Sequence, residues 1–458
     1  MRMRSLLICF VLFIFLTSCS PSLGIEEPAE QDPSNEQMVV IPTSSHPDYE
    51  VGDVPSTQLI HAQDLIYRGY FRLPEGSGAS DWDYSGHGLT HFPGGDPGGD
   101  SDGYPGSLFG FGHDHQLYVS EISIPAPMIT NDPGAANIAV TIQPFSDLTD
   151  GIFRAEEMVI PRAGIAYLAH PQPRLHFTFG QHIQDFEESH GWAGLNLDRP
   201  EVQGPWVFDG YTNYVSNDYL FEIPPDWAQA IAPGSLLASG RAREGLWSGR
   251  GPGLFAYRPP DLDSPPPAGS VLQDVIPLLL YGEQSTGQPD IISSPAQAVI
   301  DYKEADHWWG GAWLTDNDRA AVVFAGTKAL GDAWYGFANG VVWEHDCAED
   351  NPSTCPDVPD WPYDDRGFWA DSYQAQLIFY DPAELAAVAR GELDSWEPQI
   401  YDTLVLDEYL LDPTLNYGDY KRDLVGAVAF DRENGFLYLV ERMADEYRSV
   451  IHVWEISR

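Results

Sequence analysis

Lysine is almost missing from this chain. Only Lys303, Lys328 and Lys421 occur in 458 residues, and 23 basic residues face 69 acids, for a formal net charge of -46. So acidic a chain repels phosphate backbones and anionic bilayer surfaces, which excludes nucleic acid as a partner and membrane attachment through a basic patch. Cysteine is scarce as well, with four residues. No apolar run reaches the roughly 20 residues that a spanning helix needs. What is there is equally telling. Hydrophobic residues make up 43% and aromatics 13%, the composition of a folded globular chain and not of an acidic disordered tail. Glycine (43) and proline (38) are abundant, which favours many turns and short strands, hence an all-β class. An acidic, lysine-poor surface also suits a salty habitat, where screening cancels self-repulsion.

The N-terminus carries an address. Arg2 and Arg4 precede the apolar run from Ser5 to Phe15, and Leu16-Thr17-Ser18-Cys19 follows. A basic segment, a short apolar segment and small residues form a signal peptide. The Leu-Thr-Ser-Cys pattern resembles the bacterial lipobox, which implies cleavage after residue 18 and a lipid on Cys19. The expectation is an exported chain anchored to the bacterial cell envelope by lipid alone. Residues 19–55 lack any apolar period and read as an acidic flexible tether. Cys9 leaves with the signal and Cys19 carries lipid, so Cys347 and Cys355 remain to form a disulfide in an oxidising compartment.

Residues 56–458 read as one repetitive domain. Five glycine-led apolar segments recur at Gly88-Leu89-Thr90, Gly164–Tyr167, Gly253–Tyr257, Gly311–Leu314 and Gly426–Phe430. Second strands follow at Leu108–Phe111, Leu175–Phe179, Leu278–Tyr281, Ala321–Phe324 and Phe436–Leu439. Third strands show at Tyr118–Ile124, Gln376–Tyr380 and Val450–Trp454, and fourth strands at Ala139–Ile142 and Tyr401–Val405. Repeated antiparallel units of this kind predict a β-propeller of about five blades. Six is the alternative, hidden in the long 164–253 interval. The final unit lacks a fourth strand, and Leu65–Phe71 near the N-terminus lacks a unit, so this strand is expected to close the ring. A loop insertion falls around 332–371. One helix is predicted from Asp381 (N-cap), Pro382 and Glu384 to Gly391.

Gly112-His113-Asp114, Glu121–Pro125, Gly251-Pro252-Gly253, Phe324–Thr327 and Tyr380-Asp381-Pro382 together resemble signposts of a group of uncharacterised exported bacterial proteins with a β-propeller-like fold. That resemblance spans most of residues 60–458. It implies the fold and the export and carries no activity, so no functional residue transfers from it.

Chemistry is expected at one mouth of the ring, where connections before first strands and after second strands converge. That end collects Asp81, Asp83, His87, His113, Asp114, His115, Gln181, His182, Arg250, Lys303, Asp306, His307, Trp308, Trp309, Lys328, Lys421, Arg422, Asp423, Glu441 and Arg442. All three lysines fall in this set, which points to a polar or anionic ligand. The structural alternative is that these cations offset neighbouring acids in tight loops. His113-Asp114-His115 could hold a transition metal with His87 or His182. Asp96, Asp100 and Asp102 have the flavour of a calcium loop without matching an EF-hand. Gly99-Asp100-Ser101-Asp102-Gly103 formally matches a nucleophile elbow but lacks its strand-turn-helix setting. Two functional readings follow. One is an envelope protein that binds a polar or anionic ligand, or a partner protein, at that mouth. The alternative is a glycoside or ester hydrolase, metal-assisted or using carboxylates such as Asp83, Asp306 and Glu441 with Trp82, Trp308, Trp309 or Trp334 for sugar stacking.

Overall fold

A computed structural model describes residues 58–457 apart from 97, 182–186, 212–215, 242–248, 283–296, 344–346, 348–354, 361–362 and 413–422. The described chain is a five-bladed β-propeller. Two strands precede the blades, β1 (Gln58–Leu59) and β2 (Leu65–Arg72). Blade 1 is β3 (Leu89–Phe92), β4 (Ser107–Phe111), β5 (Val119–Ser123) and β6 (Thr141–Ser146). Blade 2 is β7 (Arg162–Leu168), β8 (Arg174–Gly180), β9 (His190–Ala193) and β10 (Gln203–Phe208). Blade 3 holds β11 (Tyr219–Glu222), β12 (Leu237–Gly240) and β13 (Leu254–Tyr257). Its next strand, β14 (Val271–Leu272), reaches over to pair with β10, and β15 (Ile276–Leu279) completes the blade. Blade 4 is β16 (His307–Asp316), β17 (Arg319–Phe337), β18 (Arg366–Tyr380) and β19 (Asp402–Val405). Blade 5 is β20 (Val425–Asp431), β21 (Phe436–Asp445) and β22 (Arg448–Ile456), with β2 as its outermost strand.

The ring therefore closes as expected. Leu65 pairs with Ile456 and Arg72 with Val450, antiparallel. Arg68 and Arg72 fasten the seam with ion pairs to Glu455 and Asp445. Five apolar cores, one between each pair of neighbouring blades, hold the ring together. Phe109 and Phe111 meet Ile165 and Phe177, Trp206 meets Phe255, Phe221 meets Trp313, Val323 meets Leu439, and Tyr438 meets Leu108. Adjacent residues of one strand enter different cores. Val323 belongs to the core of blades 4 and 5, and Phe324 to that of blades 3 and 4. Both faces of the middle strands are covered, so their sequences run apolar without alternation.

Blade 3 corrects one expectation. Gly253–Tyr257 is not its first strand but its third, β13, and Leu278–Leu279 belongs to the fourth, β15, not to a second strand. The first two strands are β11 and β12, lying inside the 164–253 interval that left a sixth blade open. The inner strand there begins at Asp218-Tyr219, without the leading glycine of the other four blades.

Outside the ring, the residues around 332–371 partly prolong β17 and β18 as a ribbon, paired out to Phe337 and Arg366. Cys347 and Cys355 are disulfide-bonded in its connection. The helix α1 (Pro225–Ile231) and the predicted helix, α2 (Pro382–Ala389), decorate the blades. The Asp381 carboxylate caps α2 by accepting the Ala383 N–H, and Gly391 follows with φ +71°. Among the described residues no helix is long and apolar enough to cross a membrane.

Candidate functional site

The five inner strands crowd the channel axis because small residues let them. A Cβ on Gly426 would lie 2.4 Å from the Gly86 carbonyl oxygen, and one on Gly310 would lie 2.7 Å from that of Gly426. This close approach is the physical reason for the recurrent glycine at the start of these strands. Blade 4 then inserts one residue. Trp308 faces Gly326 and Gly310 faces Ala325 across the β16–β17 ladder, so Trp309 is an extra, bulged residue. The bulge aims neighbouring side chains in different directions. Trp308 packs between blades 3 and 4, whereas Trp309 meets residues of blades 2 and 5 and the segment entering blade 1.

Around the Trp309 indole stands a polar set drawn from all five blades. The guanidinium of Arg162 lies 4.2 Å from the ring centroid and that of Arg442 lies 4.7 Å from it, both within cation–π range. The His87 and His307 rings lie 5.3 and 5.7 Å away. Arg442 donates to the carbonyls of Ser85 and Tyr84 and, at 3.3 Å, to the Asp114 carboxylate. Gly86, at φ +146°, leaves room for it, since a Cβ there would come within 2.6 Å of Arg442 Nε. Arg162 approaches Asp218 at 3.6 Å, Arg241 approaches the same carboxylate at 4.0 Å, and Arg241 donates to Asn217 Oδ1 at 3.0 Å. Three nearly buried arginines thus share one mouth with Asp114, Asp218 and Asp423.

Two histidines complete the set. Burial, reinforced by Arg162 and Arg442 and partly opposed by Asp423, holds the His87 pKa well below its ordinary value. His87 is a neutral imidazole at neutral pH. The Nδ1 atom of His307 lies 3.1 Å from Trp309 Nε1 and 3.2 Å from Asp423 Oδ1. One nitrogen cannot both accept from the indole and donate to the carboxylate, so the tautomer of His307 decides which contact is a hydrogen bond. Beneath the indole the waist leaves a void of about 10 Å3, at the lower limit of the space that one water needs. Trp309 closes the axis at this level.

Of the residues expected at the mouth, His87, Asp114, His307, Trp309, Asp423 and Arg442 come together here. His113 and His115 do not join them. Their rings lie 4.8 Å apart, His113 Nδ1 accepts the backbone N–H of His115, and His113 packs on Tyr84. Asp83 forms a backbone bridge with Arg448. Arg250 lies over the Tyr302 ring. Lys328 is tied to the Asp306 carboxylate at 2.7 Å, and Lys303 to the Gly331 carbonyl. Gln181 bonds Glu187. Glu441 is buried against His452 at 2.7 Å and accepts the N–H groups of Leu411 and Asp412. His182, Lys421 and Arg422 lie outside the described residues, as does the Asp100 side chain. Asp96 and Asp102 accept local N–H groups of Gly98 and Tyr104, in a connection at the opposite end of blade 1. Among the described residues no three or more His, Cys, Asp or Glu side chains are arranged to hold a metal ion.

Arg162, Asp218 and Arg241 escape a reading of the sequence. Arg162 opens a first strand whose sequence signal is Gly164, two residues later. Asp218 and Arg241 flank β11 and β12, the two strands misassigned in blade 3. The polar run Ser216-Asn217-Asp218 directly before an apolar segment is the signal that could have found them. Trp82 and Trp308 pack into cores between blades, and Trp334 donates to the Phe337 carbonyl in the ribbon. In comparison with known proteins, no family's sequence profile matches this chain and no curated protein matches it.

Proposed function

We propose that this chain is a lipid-anchored cell-envelope propeller that binds a small anionic ligand, through a carboxylate or phosphate group, at the Trp309 mouth. The observation that carries this reading is the placement of Arg162 and Arg442 against one indole, with Arg241 sharing the Asp218 carboxylate with Arg162, in a chain of charge -46. Planar guanidiniums recognise carboxylate and phosphate by paired hydrogen bonds. Asp218 stands 3.6 Å from Arg162 and Asp114 3.3 Å from Arg442, longer than a charge-assisted hydrogen bond of about 2.7–2.9 Å. A ligand anion that comes closer would gain on them. Neutral His87 adds a hydrogen-bonding group without adding charge. The guanidiniums already lie close to the Trp309 ring, which leaves it poorly suited to stack a sugar. The hydrolase alternative finds little support here, since Asp306 and Glu441 are each engaged by a cation or histidine and by backbone N–H groups. The anchor follows from Leu16–Cys19.

Calorimetric titration of the full chain in detergent, with inorganic phosphate, citrate and galacturonate as probes, tests the site. Binding of at least one probe, weakened tenfold or more by Arg442→Gln and by Arg162→Gln, is expected. That factor corresponds to about 1.4 kcal/mol. No binding of any probe, or binding that ignores both substitutions, would overturn the reading. Loss of detergent-phase partitioning in Cys19→Ala tests the anchor separately.

A further inference from the structure

The opposite end of the channel is open where the Trp309 end is closed. As the inner strands run on, they enclose a cavity of about 260 Å3, just below the range of about 300–1,000 Å3 that holds drug-sized ligands. Its polar groups divide into committed and uncommitted ones. Asp431 is fully buried and spent on its own turn, where it accepts the N–H groups of Glu433 and Asn434 and the Asn434 side chain. Arg432 is a strut between three blades. It donates to Thr315 Oγ1 at 2.9 Å, to the Trp313 carbonyl, and to the backbone and carboxylate of Glu222. The positive charge of this cavity is therefore built into its wall.

Glu222 differs. Its side chain is 31% exposed, close to the 28% of Arg432, but Arg432 reaches only its Oε2, at 3.4 Å. Lone pairs on Oε1 remain for a guest. Tyr167 shares the cavity and feels that charge. Its phenol pKa is raised by burial and then by Glu222. The rings of Tyr167 and Phe430 are half-buried on the lining; Phe92 packs on Tyr167 and the Arg432 guanidinium lies 6.0 Å from the Phe430 centroid, so part of each ring is left for a guest. A carboxylate with free lone pairs beside aromatic walls selects a cation that carries carbon, because the charge-assisted bond and the cation–π attraction act together.

We propose that this cavity is a second ligand site, which takes a small organic ammonium compound with its charge on Glu222 and its carbon skeleton against Tyr167 and Phe430. The site is independent of the Trp309 mouth. Calorimetry of the full chain with choline and ethanolamine, against the uncharged choline analogue 3,3-dimethylbutan-1-ol, tests it. Saturable binding of at least one ammonium probe is expected, at least tenfold tighter than the uncharged analogue. Glu222→Gln, which keeps a carbonyl for Arg432, should weaken it tenfold or more. Tyr167→Leu should weaken it at least threefold, and Arg442→Gln should leave it unchanged. Absence of ammonium binding, equal binding of the uncharged analogue, indifference to both Glu222→Gln and Tyr167→Leu, or sensitivity to Arg442→Gln would each overturn the proposal.

Discussion

The two ends of the channel are built by the same five inner strands and end differently. At one end a single extra residue in β16 throws an indole onto the axis, and buried arginines and histidines gather against it. At the other end a cavity remains between Glu222, Tyr167 and Arg432. A propeller channel is thus not open or shut as a property of the fold. Its state at each level depends on which side chain the inner strands present there, and one bulge suffices to change it.

The difference can be broken most severely at Trp309. Trp309→Ala removes a buried aromatic with neighbours in several blades, so a loss of about 3–5 kcal/mol is expected by urea titration. Glu222→Gln at the open end, which loses one partly exposed ion pair, should stay within about 1 kcal/mol of the parent. Equal losses at both ends would show that the closed end is no more structural than the open one. Acid provides the next test. Burial holds His176 and His190 down to about 3, and His87 is lowered as well. The unfolded chain takes up protons near pH 6.5 that folded His176 and His190 refuse until about pH 3 and that folded His87 also resists. Stability therefore falls as the pH drops through that window, by up to about 1.4 kcal/mol per pH unit for each histidine. Urea midpoints at pH 7 and pH 5 should show the drop, and His190→Gln should reduce it.

A smaller effect sharpens the account of the narrow waist. Gly426→Ala places a methyl group 2.4 Å from the Gly86 carbonyl, and overpacking of this kind costs about 1–3 kcal/mol. A melting temperature equal to that of the parent would mean that the inner strands have slack. Least of all should the ring respond to loss of the Cys347–Cys355 bridge. A short loop of this kind accounts for about 2–3 kcal/mol in the chain-entropy view, but it acts on the ribbon outside the five cores. Cys347→Ser with Cys355→Ser should speed proteolysis within 332–371 and barely move the main unfolding transition.

Most of the fold was legible because the middle strands are covered on both faces. Runs such as Ala321–Phe324 and Phe436–Leu439 announce themselves whatever the connections do. Ring closure was legible from two deficits, a unit short of a strand and a strand short of a unit. Blade 3 was misread because Asp218 stands where the other inner strands place glycine, and its third strand happens to begin with one. The candidate mouth was half legible. Topology brings residues before first strands and after second strands to one end, which found His87, His307 and Arg442. It does not say which of them turn inward. Lys303 and Lys328 bond loop carbonyls, His113 turns to Tyr84, and the inward turn of Trp309 depends on a ladder irregularity that no local pattern announces.

The seam between β2 and β22 has a consequence for the order of events in a cell. Tyr67 bonds His452, 385 residues further along. During synthesis β2 emerges early and then has no partner until almost all of the propeller has followed it. Blades 1 to 4 can assemble as their strands appear, but the ring stays an open arc with two unsatisfied flanks. Contacts at such separation form slowly, and exposed strand edges invite association in the interval. If the export signal is read as Arg2–Cys19 suggests, delivery across the membrane as an unfolded thread would postpone that closure to the far side, where no neighbouring nascent chains compete for the waiting strand.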